Sequence, residues 1–190
     1  GIEGLEQNFE NYDELADEIQ MAKKYGYALI GIQWLDKRTG RYDSAEKINN
    51  MIERALRFYQ KRYSPLKTVA LCGFSRGGAV SYQVAYLDNQ AEKKLKLIIA
   101  HSGGIPLDNV VAPREDGTPG KFFSDLTTGR LGNSGFQGQS FFLYAGCKDE
   151  EWGTTMCDKI KHAKDVVEEN GGSIVGYIID QEGRHGGYRS

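Results

Sequence analysis

The chain has 190 residues, of which 39% are hydrophobic and 26% charged, with a formal net charge of -2. That length suits one domain with a sizeable core, and the balance of charges excludes a disordered chain and gives no electrostatic case for nucleic acid or an anionic membrane. No apolar run reaches the length of a membrane span, and no signal peptide is visible; because the sequence opens at Gly1 instead of Met, any such signal is expected upstream, and the compartment is not legible.

The first expected element is a helix over residues 11–25. Asn11 with Glu14 has the form of a capping pair, Leu15, Ile19 and Ala22 recur on one face, and Gly26 supplies a stop. The apolar run at 27–34, ending in Trp34, is short enough for a strand covered on both faces. A capping signal at Asp43 and Ser44 opens a second helix, with Ile48, Ile52, Ala55, Leu56 and Tyr59 on one side and Ser64-Pro65 as its end.

Residues 68–72 are expected to form a buried strand, and residues 79–87 belong to a helix. Between them lies Gly73-Phe74-Ser75-Arg76-Gly77-Gly78. This is a G-x-S-x-G arrangement on a strand-to-helix turn, the context in which a serine hydroxyl is held exposed on a strained backbone. With 24 glycines in the chain the bare motif is weak; the flanking elements give it weight.

Further strands are expected at 95–100, 140–146 and 173–180, with a helix marked by Met156, Ile160, Ala163 and Val167 and closed by Gly171-Gly172. Residues 102–139 show little periodicity, a length that is usually functional or holds short elements. Strands alternating with helices imply an α/β fold, a mostly parallel sheet with helices on both faces. In such sheets sites form at the carboxyl edge, where Ser75, the turn after Gly146 and the loop holding His185 all fall.

A serine needs a base within hydrogen-bond reach, and the base needs a carboxylate to orient it. Of the three histidines, His162 falls within a helix and reads as a surface residue. His101 closes a strand but precedes every plausible acid. His185, in a glycine-rich turn after the last strand, is the expected general base. Asp149 is the expected acid, with Glu150 as its nearest rival. Trp34, Phe74 and Trp152 are candidate substrate-binding residues; simple packing is the alternative for each. Cys72 reads as a small core residue. Cys147 and Cys157 could bridge in an oxidising compartment, but free thiols are the simpler expectation for a chain with three cysteines. No metal-ligand spacing appears, and no metal or cofactor is expected.

The elbow at residues 73–78, the strand leading to Gly146 and Asp149, and Gly183-Arg184-His185-Gly186 together resemble the α/β-hydrolase superfamily, and within it the small carboxylesterases. The order Ser75, Asp149, His185 is that architecture's order. The resemblance implies a serine hydrolase that cleaves a small-molecule carboxylic ester through an acyl-enzyme. It implies that the Arg76 backbone N–H forms half of the oxyanion hole, and that residues 102–139 lie where a cap is often inserted in the single domain 1–190. The chain departs from the pattern by lacking the N-terminal strands. Residues 1–5 resemble the tail of the loop that carries the second oxyanion donor, so a fragment or processed chain is expected. A serine peptidase or acyltransferase on the same fold, and a non-catalytic hydrolase-like domain, stay open beside the esterase reading.

Overall fold

A computed structural model describes residues 16–36, 38–62, 68–107, 120–149 and 155–185. The elements in order are α1 (Ala16–Tyr25), β1 (Leu35–Asp36), β2 (Arg41–Tyr42), α2 (Ala45–Arg62), β3 (Val69–Phe74), α3 (Arg76–Gln90), β4 (Leu95–His101), α4 (Gly120–Thr127), β5 (Ser140–Gly146), α5 (Met156–Glu169) and β6 (Ser173–Asp180). Strands β3, β4, β5 and β6 pair in that order, all parallel as expected, and helices flank the sheet.

The sequence signals at helix ends work as local chemistry predicts. Helix α1 stops at Gly26, whose φ of 70° is a left-handed conformation that costs glycine little. The Thr155 hydroxyl accepts the Asp158 N–H at 3.3 Å and so caps α5. Asn11 and Glu14, the expected opening of the first helix, lie outside the described residues.

Each strand-to-strand step moves the same way across the sheet, so right-handed crossovers bring their helices to one face. The principal core lies there: Ile98 and Ala100 of β4 and Phe141, Leu143 and Ala145 of β5 pack against Tyr82, Phe123, Leu126, Ile160 and Val167. Phe122 and Phe123 of α4, in the segment expected to lie near the site, belong to this core. A second cluster joins Ile48, Ile52 and Leu56 of α2 to Val80 and Val84 of α3, with Leu71 and Trp34 against it.

Three expectations change. Residues 27–34 form no strand; only Leu35–Asp36 pairs, antiparallel with Arg41–Tyr42. Ile32 and Trp34 instead pack on the α2–α3 cluster, since an apolar run can be buried by side-chain contact without joining a ladder. Cys72 is exposed, because strand alternation carries it to the face opposite Leu71. Cys147 and Cys157, expected as free thiols, are disulfide-bonded, with Cα atoms 5.1 Å apart. The fold brings the turn after β5 against the first turn of α5, a proximity that Cys count alone does not reveal.

Candidate active site

Ser75 sits between β3 and α3 with φ 55° and ψ -119°, a conformation that side-chain-bearing residues rarely adopt. Its surroundings hold it there. The Ser75 N–H donates to the His101 carbonyl at 2.8 Å, and its own carbonyl accepts the Ala79 N–H at 3.1 Å. Glycines let the backbone close in: a Cβ at Gly73 would lie 2.3 Å from the Gly77 carbonyl oxygen, and one at Gly103 would lie 2.3 Å from the Ser75 oxygen. Gly77 is different, with open space where its side chain would be. Crowding therefore explains Gly73 and Gly103 but not Gly77.

Three side chains from three strand ends meet above this turn. His185 Nε2 lies 2.7 Å from Ser75 Oγ, and His185 Nδ1 lies 2.5 Å from Asp149 Oδ2. The Asp149 side chain is fully buried and that of His185 about one-quarter exposed. A buried carboxylate on Nδ1 favours the tautomer in which Nδ1–H donates to Asp149 and Nε2 accepts from the serine hydroxyl. The arrangement can take a proton from Oγ and later return it.

The acid and histidine loops are stitched to each other. The Cys147 N–H donates to the Asp180 carbonyl at 2.8 Å and the Lys148 N–H to the Gly183 carbonyl at 2.9 Å. The Asp180 carboxylate accepts from the Gly183 N–H at 2.9 Å and from the Tyr144 hydroxyl at 3.1 Å, which fixes the turn leading to His185. A Cβ at Gly146 would lie 2.4 Å from the Gly183 oxygen, so only glycine permits this approach. Ser102, absent from the sequence-based candidates, donates from its hydroxyl to the His185 carbonyl at 2.7 Å. It is fully buried and has φ 49°. No sequence pattern marks it; only its place just after β4 could have drawn attention.

Of the other histidines, His101 lies edge-on between the rings of Phe74 and Tyr144, at centroid distances of 5.0 and 4.6 Å. His162 lies within α5, away from the strand ends. An open cleft of about 560 Å³ runs beside Ser75, lined by residues 32–35, Tyr42 and residues 72–77. Trp34 and Phe74 thus reach the same cleft as the serine. Glu150 and Trp152 lie outside the described residues, as do residues 1–5. The Arg76 amide heads α3, where first-turn N–H groups lack an intrahelical acceptor and the helix dipole favours negative charge.

No family model matches the sequence, and no curated protein matches it in sequence. Solved structures do resemble it. An esterase from Rhizomucor miehei superposes with a TM-score of 0.53 at 16% identity, over 75% of this chain and 51% of that one. A ferulic acid esterase superposes with a TM-score of 0.52 at 12% identity, over 90% of this chain and 70% of that one. The chain spans about half the length of the Rhizomucor protein. Among the described residues no helix is long and apolar enough to cross a membrane. At these identities the likeness speaks for architecture: the chain has the fold of the α/β-hydrolases.

Proposed function

We propose that this protein is a serine hydrolase that cleaves a carboxylic ester through an acyl-enzyme intermediate. Ser75 is the nucleophile, His185 the general base and Asp149 the orienting acid. As Oγ bonds to the ester carbonyl carbon, the hydroxyl proton passes to His185 Nε2, while Asp149 holds Nδ1–H and stabilises the imidazolium. The Arg76 backbone N–H faces the charge that develops on the carbonyl oxygen. Collapse of the tetrahedral intermediate breaks the bond to the alkoxy oxygen, which leaves with the proton from His185. Water then attacks the acyl carbon and gives a proton to His185, which passes it to Ser75 Oγ as the acyl C–O bond breaks and the carboxylic acid leaves. Trp34 and Phe74 bind substrate in this reading, with Trp152 as a third contact.

The observation that carries the proposal is the continuous relay from Ser75 Oγ to His185 to Asp149, at 2.7 and 2.5 Å, on a serine held at φ 55°. A solvated serine or a structural histidine has no need of that combination. Turnover of p-nitrophenyl acetate tests it. Ser75→Ala and His185→Ala are each expected to lose about 10⁴–10⁶-fold in kcat, and His101→Ala far less. A fluorophosphonate probe is expected to label Ser75. Equal rates for the native protein and Ser75→Ala, or labelling at another residue, would overturn the assignment.

A further inference from the structure

Ester hydrolysis as proposed uses only the backbone of Arg76. Its side chain lines the same cleft as Ser75 and is the one charged side chain among the described residues that do so. The guanidinium carbon stands 4.3 Å from the centroid of the Tyr42 ring, and that ring stands 4.6 Å from Trp34. Lys47 and Arg57, by comparison, are paired with carboxylates, on Asp43 at 2.6 Å and on Glu53 at 2.7 Å. Among the described residues that line the cleft there is no Asp or Glu that could do the same for Arg76.

The chemistry of a stacked guanidinium gives this a direction. Contact with an aromatic face engages the π side of the fork and leaves its in-plane N–H donors available. A guanidinium is also weakly hydrated and geometrically matched to a carboxylate, which it can bind through two parallel hydrogen bonds. Beside it the cleft offers Trp34 and Phe74, and Phe74 is 49% exposed despite its size. An exposed aromatic surface next to an unneutralised planar cation, in one cleft with the nucleophile, complements a planar anion.

We propose that the cleft takes esters in which an aromatic ring bears a carboxylate, the carboxylate held by the Arg76 side chain and the ring by Trp34, Tyr42 and Phe74. This rests on the hydrolase reading above. The step is the same acyl transfer: the ester C–O bond breaks, and Arg76 contributes a binding contact and exchanges no proton.

Two measurements test it. Hydrolysis of 4-acetoxybenzoate is compared with that of the neutral 4-acetoxybenzamide, each kcat/KM divided by the ester's own rate with hydroxide. Equilibrium binding of 4-hydroxybenzoate and 4-hydroxybenzamide is measured by calorimetry, which needs no turnover. The native protein is expected to favour the anion by about tenfold in both. That preference is expected to fall toward parity in Arg76→Gln, and to shrink with added salt. An anion-to-amide ratio near one in the native protein, or a ratio unchanged in Arg76→Gln, would overturn the inference even if both esters turn over. Failure of both esters to turn over, with the binding preference intact and lost in Arg76→Gln, would instead overturn the hydrolase reading and leave the anion site standing.

Discussion

Gly103→Ala isolates the part of the site that the backbone builds. Gly103 follows β4 and is not a member of the relay, yet its missing side chain faces the nucleophile turn. A Cβ there would stand 2.3 Å from the Ser75 oxygen, 2.5 Å from the Ala79 nitrogen and 2.6 Å from the Gly78 carbonyl carbon. All three are backbone atoms, so no side chain can swing aside. Reaching an ordinary contact near 3.4 Å requires about 1 Å of movement between the turn and the end of β4. Displacement of a reacting group by that amount costs roughly 100-fold in rate. The strain itself should cost about 1–3 kcal/mol of stability, as overpacking does elsewhere. The assay is kcat/KM on p-nitrophenyl acetate together with a thermal melt. Gly77→Ala serves as the comparison for stability, since nothing lies within 4 Å of its added methyl. Its melt should be unchanged or slightly raised, because alanine favours a helix more than glycine does. A Gly103→Ala protein with native rate and native Tm would refute the reasoning that crowding fixes the elbow.

Two other perturbations address the supports of the relay. Ser102→Ala removes the donor to the partly buried His185 carbonyl, at a cost of about 1 kcal/mol. Its expected signature is a lower kcat at little changed KM, and a kcat equal to the native value would show that Ser102 does not position the histidine. Replacing both Cys147 and Cys157 by Ser opens the short loop closed by the disulfide, whose cysteines are 10 apart in sequence. The chain-entropy argument assigns such a loop about 3 kcal/mol. The denaturant midpoint should fall accordingly, with the same fall on treating the native protein with reductant; an unmoved midpoint in both would contradict that assignment.

Much of this site was legible because its signals are local. The elbow needs a strand, a serine among glycines and a helix, and residues 68–87 spell these out in order. Asp149 and His185 could be chosen because each follows a strand end in a turn. What the sequence did not disclose depends on partners distant in the chain. Residues 27–34 have the composition of a strand, but a strand is a pairing relation, and Ile32 and Trp34 instead pack, partly buried, on the α2–α3 cluster. The run 69–72 is apolar at every position, so its composition could not tell which residues face the core. Alternation put Leu71 inward and Cys72 outward. The disulfide needed the turn after β5 and the start of α5 to be neighbours. Ser102 shows its importance only through a left-handed φ and a bond to a residue 83 positions away.

The end of β4 has a consequence for how the site keeps its dimensions. The proposed nucleophile hangs from β3, while the proposed acid and base hang from β5 and β6 and are locked to each other by bonds between their own loops. One strand separates these two bodies. That strand touches both: its His101 carbonyl receives the Ser75 N–H, and the next residue, Ser102, reaches the His185 carbonyl. β4 therefore acts as a ruler, and the serine-to-imidazole gap is calibrated by two adjacent residues that take no part in proton transfer. Changes elsewhere in the acid–histidine body move both its members together and preserve their mutual fit. The gap that the proposed proton transfer would cross is set by the width of a single strand.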